Sequence, residues 1–129
     1  MPERILIDTD VIIWHMRGNE NARTAIYHIE KPVISIITQM ELVQGLRNKQ
    51  EQVMLHRFLE QLVFEVLPVT DVISHRALFL MEEWGLSHQM LMADAMIAAT
   101  AIEHGLPLLS GNGKHYRFLK MLTLEGFKP

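Results

Sequence analysis

No cysteine occurs among the 129 residues. Disulfide scaffolds, thiolate zinc sites and cysteine nucleophiles are all excluded by that absence, which also agrees with a reducing compartment. No run approaches the roughly 18 apolar residues that a membrane helix needs. The opening Met1-Pro2-Glu3-Arg4 passes straight into an apolar segment, without a signal-peptide core and its small-residue cleavage site. A soluble, cytoplasmic protein is expected. Linkers and low-complexity segments are missing as well, and so are repeats at a period of about 20–50 residues.

What is present has the composition of one globular domain spanning residues 1–129. Hydrophobic residues make up 49% and charged residues 21%, unlike a disordered chain. The length suits one core and not two. Net charge is −3, from 12 basic and 15 acidic residues. An acidic whole does not recruit nucleic acid by bulk charge. The sign reverses over residues 104–129, where Lys114, Arg117, Lys120 and Lys128 face Glu125 alone.

Short apolar runs alternate with longer periodic ones. Ile5-Leu6-Ile7, Val33 to Ile36, Val63 to Leu67, Pro107 to Ser110 and Met121 to Leu124 read as strands. Helices are expected over Val11 to Met16, Ala22 to Ile29, Thr38 to Leu46 and Glu51 to Leu62. Two more are expected over Asp71 to Trp84, stopped by Gly85, and over Asp94 to His104, ended by Gly105. Tyr116 to Leu119 reads as one helical turn. The alternation predicts an α/β fold with a mainly parallel central sheet of four or five strands flanked by helices. The helix from Asp94 is apolar nearly all round and is expected to be buried.

Ligands of open parallel sheets bind beyond the carboxyl ends of the strands. There the first strand ends in Asp8-Thr9-Asp10, the second leads into Thr38-Gln39-Met40-Glu41, and the fourth ends in Ser110-Gly111-Asn112-Gly113. Asp8 is suited to bind a hard cation or to bond the next turn. Asp10 is placed to cap the helix that follows. Thr38 and Glu41 have capping-box spacing, and Glu41 can still reach toward Asp8. Asp94 is either a first-turn acid favoured by the helix dipole or a charge whose burial a metal compensates. Asn112 lies between two glycines, where a left-handed turn is the bland expectation. The seven histidines show no zinc-protease spacing. Most are expected on the surface, and His115, beside Lys114 and Arg117, is the candidate for phosphate contact.

Four segments resemble the motifs of PIN-domain ribonucleases in the family's order. They are Ile5 to Ile13, Ser35 to Gly45 with Glu41, Ala93 to Ala101 with Asp94, and Gly105 to Tyr116 with Asn112. The length suits the VapC-type toxins of toxin–antitoxin pairs. Two departures stand out: Asp10 replaces a frequent asparagine or serine, and Asn112 replaces a frequent acid.

The resemblance implies a single PIN-like domain with Mg²⁺- or Mn²⁺-dependent endoribonuclease activity. It implies Asp8 and Asp94 as metal ligands, and Glu41 as the group that positions or deprotonates water or binds a second metal. Asn112 would hold a metal-bound water by hydrogen bond. The implied partners are an RNA such as tRNA or rRNA, a small antitoxin through which alone operator DNA is reached, and a second copy of the chain. Three rival readings are an RNA-processing nuclease outside a toxin pair, a haloacid-dehalogenase-type phosphatase with Asp8 as nucleophile, and a non-catalytic module of the same fold.

Overall fold

Alternation along the strands decides which side chains go where. The computed structural model describes residues 4–129; residues 1–3 of the expected span lie outside the described residues. In β1 (Arg4–Ile7), Leu6 turns to one face of the sheet while Ile5 and Ile7 turn to the other. Four further strands follow: β2 (Lys31–Ser35), β3 (Glu65–Leu67), β4 (Leu108–Ser110) and β5 (Leu124–Gly126). All pair in parallel, in the order β3-β2-β1-β4-β5. On one face Leu6, Val33 and Leu108 pack against α5 (Asp71–His88) and α6 (Met92–His104). On the other, Ile7, Ile34 and Leu109 meet α1 (Thr9–Met16), α2 (Glu20–Tyr27) and α4 (Lys49–Gln61). Helix α3 (Ile36–Gln44) leads out of β2.

The five-stranded parallel sheet and the buried α6 agree with the sequence expectation; Ala95, Ala98, Ala99 and Ala101 are fully buried. Several boundaries differ for local reasons. Helix α3 starts at Ile36 because the Ser35 hydroxyl accepts from Ile37 N at 3.0 Å. Thr38 therefore lies within the first turn, fully buried, and the expected capping box with Glu41 does not form. Gly85 does not stop α5. A mid-helix glycine costs only about 1 kcal/mol relative to alanine, and Trp84 and His88, one turn apart, both pack on Phe118. The helix ends instead at Gln89, whose φ is 52°. The expected turn at Tyr116 to Leu119 is a 3-10 turn at Gly113–His115. The last strand starts three residues later than expected, because Leu124–Gly126 is the segment in register with β4.

The crossover after β3 carries the chain past β2 to the far side of β1. Strand order thus reverses at β1, which has β2 on one side and β4 on the other. In a parallel sheet such a switch opens a crevice beyond the strand ends. Asp8 follows β1 and Ser110 ends β4.

Candidate active site

Asp8 is 4% exposed, and two donors hold it. Its Oδ1 accepts from Thr9 N at 2.9 Å, which makes it the N-cap of α1. Its Oδ2 accepts from the Ser110 hydroxyl at 2.8 Å. Burial, with Asp10 and Asp94 nearby, raises its carboxyl to about 7 despite both bonds. Asp10 was expected to cap α1 but does not. From the first turn it reaches across to β4, where Oδ2 accepts from Gly111 N at 2.9 Å. Its Oδ1 is buried and has no partner among the described residues, and burial raises this carboxyl too. The approach needs a glycine, because a Cβ on Gly111 would lie 2.7 Å from Asp10 Oδ2 and 3.2 Å from Phe127 O.

Glu41, half-buried on α3, lies with Oε1 2.6 Å from the Thr9 hydroxyl. That hydroxyl is also 2.9 Å from Thr38 Oγ1. Thr9 has one proton to give, so when it donates to Glu41 the threonine pair is closed by the Thr38 O–H. Asp94 sits in the first turn of α6, whose N-cap Leu91 supplies no side-chain bond. The Tyr116 hydroxyl donates to its Oδ1 at 3.2 Å, and His115 Nδ1 lies 3.3 Å from its Oδ2. Tyr116 is 1% exposed. Burial and the charges of Asp8 and Asp94 push its phenol far above the ordinary value, so it stays a proton donor. Asn112 is half-buried, and its N–H donates to Ser110 Oγ at 2.9 Å. Its φ is −100°, so it is not in the left-handed turn that its glycine neighbours suggest.

Asp8 and Asn112 thus meet through Ser110, Asp94 is held by Tyr116 close enough for its charge to act on Asp8, and Glu41 joins from α3 through Thr9, at the switch between β1 and β4. His115, the candidate for phosphate contact, pairs with Asp94 instead. Thr9, Ser110 and Tyr116 are members that the sequence reading left without a role, and Asp10 is one that it took for a helix cap. The only advance signal was the Asp8-Thr9-Asp10 spacing, because the partners of Ser110 and Tyr116 lie far away in the chain.

The donor set suits a hard divalent cation: carboxylate oxygens, one of them orphaned and buried, in a pocket whose desolvation disfavours their unneutralised charge. Among the described residues, no Lys or Arg pairs with Asp8, Asp10, Glu41 or Asp94. Nor do three acidic or histidine side chains stand close enough to enclose an ion unaided. Mg²⁺ is commonly held by only one or two carboxylates and keeps several waters. A groove of about 760 Å³ runs from Glu41 between α1 and α4, lined by Met16, Arg17, Leu46, Arg47 and Phe58 among others.

Comparison with known proteins gives a consistent picture. A family model described as PIN domain matches residues 5–120. Ribonuclease VapC10 of Mycobacterium tuberculosis is 34% identical, over 97% of this chain and 98% of that protein. Ribonuclease VapC1 of Methanocaldococcus jannaschii is 32% identical, over 95% of this chain and 85% of that protein. A solved toxin–antitoxin complex from Klebsiella pneumoniae contains a chain that superposes with a TM-score of 0.79 at 26% identity, covering 92% of this chain and 95% of that one.

Proposed function

The chain belongs to the PIN-domain family, and on that premise we propose that it is a Mg²⁺- or Mn²⁺-dependent endoribonuclease, the toxin of a toxin–antitoxin pair, that cleaves a structured RNA such as tRNA or rRNA and so blocks translation. The observation that carries this reading is the group of carboxylates at the β1–β4 switch, which among the described residues has no Lys or Arg partner, only His115 at Asp94, and leaves Asp10 Oδ1 buried and unsatisfied. Like charges crowded together repel unless a cation joins them.

Asp8 and Asp94 would hold the metal. When bound, it polarises the phosphoryl group and stabilises the leaving oxygen of phosphodiester hydrolysis. Glu41 orients the attacking water and takes its proton, with Oε1 fixed by Thr9. Asn112 steadies a water at the rim. Lys114, Arg117 and Lys120, exposed just beyond β4, meet the RNA backbone. The groove that starts at Glu41 receives the antitoxin tail, and a basic side chain of that tail satisfies the carboxylates in place of metal. The active unit is a cytoplasmic homodimer that reaches operator DNA only through its antitoxin.

The test is cleavage of cellular RNA by the purified protein with Mg²⁺ or Mn²⁺. Cleavage is expected to vanish with EDTA and to fall about a hundred- to a thousandfold in Asp8→Asn, Glu41→Gln and Asp94→Asn, as for lost groups that stabilise the transition state. Expression without an antitoxin is expected to arrest growth. Wild-type cleavage by Asp94→Asn, or unimpaired growth at high levels of soluble protein, overturns the reading.

A further inference from the structure

We propose that Tyr116 is a positioning residue of this site: its buried hydroxyl fixes Asp94 Oδ1 and so presets Asp94, next to Asp8, for a divalent cation. The inference rests on the metal-dependent reading above and concerns a residue to which that reading gives no role. As a core aromatic alone, residue 116 needs no hydroxyl, since phenylalanine fills the same shape. A buried phenol needs a partner, and here the partner is a site carboxylate 22 positions earlier, at 3.2 Å.

Among the described residues, nothing else rigid holds Asp94. The α6 cap is an apolar residue without a side-chain bond. His115, the other contact, is 39% exposed and 3.3 Å away, so it can give up Oδ2 readily. Tyr116 cannot leave so easily. It is 1% exposed, and its backbone is held at both ends, by Tyr116 N to Gly113 O at 3.0 Å and Leu119 N to Tyr116 O at 2.9 Å. A neutral donor also orients the carboxylate without cancelling the charge that attracts a cation. Hydrogen-bonding partners behind metal ligands commonly change affinity by about 10–100-fold.

Three measurements on the substrate-free protein test this. Mn²⁺ titration by calorimetry is expected to give a Kd about tenfold weaker for Tyr116→Phe. It should change by less than about twofold for His115→Ala, whose contact is exposed. In an Asp94→Asn background, adding Tyr116→Phe is expected to change the Kd no further, because the hydroxyl acts through Asp94. The third measurement needs no substitution. The chain has only two tyrosines, so ¹³Cζ-tyrosine gives two signals, and Mg²⁺ is expected to move that of Tyr116 and leave that of exposed Tyr27.

A folded Tyr116→Phe with wild-type Kd overturns the proposal and leaves the metal-dependent reading standing. So does an undiminished loss in the Asp94→Asn background. Should Tyr116→Phe fail to fold, the wild-type signals decide: no Mg²⁺ response at Tyr116 overturns the proposal. A wild-type protein that binds neither Mn²⁺ nor Mg²⁺ overturns both.

Discussion

Asp8→Asn should stabilise the metal-free protein while removing its activity. The Asp8 carboxyl stands at about 7 in the fold, against 3.8 for an unburied one, mainly because burial strips it of water. At about 1.4 kcal/mol per pKa unit, holding it ionised costs the fold up to about 4 kcal/mol. Asparagine keeps the shape and drops the charge. Its amide oxygen accepts from Thr9 N–H, and its NH₂ donates to Ser110 Oγ, which has a second lone pair for Asn112 N–H. Part of the gain is lost because bonds to a charged acceptor are the stronger ones, so a net gain of about 2 kcal/mol is expected at pH 8 in EDTA. For a domain of this size, that is a rise of roughly 6–10 °C in melting temperature.

The sign with pH follows from proton linkage. Between about pH 4 and 7 the folded wild type binds more protons than the unfolded chain, so the stability that Asp8 contributes is present below pH 4 and lost as pH rises through 7. The advantage of Asp8→Asn should therefore grow from near zero at pH 4 to its full value at pH 8. Groups remote from Asp8 titrate alike in both proteins and cancel in the difference, whereas Asp10, whose charge faces that of Asp8, is relieved in the variant and adds to the gain. Saturating Mg²⁺ should narrow the gap, because only the wild type gains binding energy. Urea melts of both proteins at pH 4, 6 and 8, with EDTA and with Mg²⁺, measure all of this. A variant less stable than wild type at pH 8 in EDTA, or a difference that ignores pH, refutes the reasoning.

Three other outcomes follow from the same geometry. Gly111→Ala places a Cβ 2.7 Å from Asp10 Oδ2 and 3.2 Å from backbone Phe127 O, and should destabilise the fold by about 1–3 kcal/mol in a urea melt; an unchanged midpoint would show that the strand end yields freely. Asn112→Asp should bind Mg²⁺ more tightly in calorimetry and stay active. Asn112→Ala should lose about tenfold in cleavage rate, the effect of one hydrogen bond, and identical metal dependence in both would place Asn112 outside the site. Replacing Lys114, Arg117 and Lys120 together by Gln should weaken binding of single-stranded RNA, measured on an inactive Asp94→Asn background. The slope of log K against log salt should fall by about 2, and an unchanged slope would move the RNA path elsewhere.

The sheet was legible because its determinants are local. Ile5-Leu6-Ile7 before an acid, Leu108-Leu109-Ser110 before glycines and the alanine-rich stretch after Asp94 each specify their element within a few residues. Caps and stops were less legible, because tertiary contacts chose between competing local signals. Thr38 and Glu41 had the right spacing for a capping box, but Ser35 capped the helix and both side chains turned to Thr9. Asp8 and Asp10 both had capping chemistry, and Asp10 was drawn instead to Gly111, more than a hundred residues away in the chain. Asn112 looked like a left-handed residue by its neighbours but has a φ of −100°, because its N–H is tied back to Ser110. Tyr116 could not have been read from sequence, since an aromatic in a short apolar run says nothing about where its hydroxyl goes.

The residues that escaped the sequence reading share one chemistry. Thr9 serves Glu41, Ser110 serves Asp8 and Tyr116 serves Asp94, each through a neutral hydroxyl. A lysine or arginine in any of these places would hold its carboxylate more strongly, and it would also cancel the charge on which a divalent cation depends. Hydroxyls fix direction and leave the charge in place. The cost appears as the raised carboxyls of Asp8 and Asp10 and as a buried oxygen without a partner. On the proposed reading, that instability is the reverse side of metal affinity, since the repulsion that weakens the empty site is relieved when a cation enters. A basic side chain from an antitoxin would draw on the same relief, so metal and antitoxin should compete for one pocket. The substitutions that stabilise the empty protein should then be the ones that weaken its hold on both.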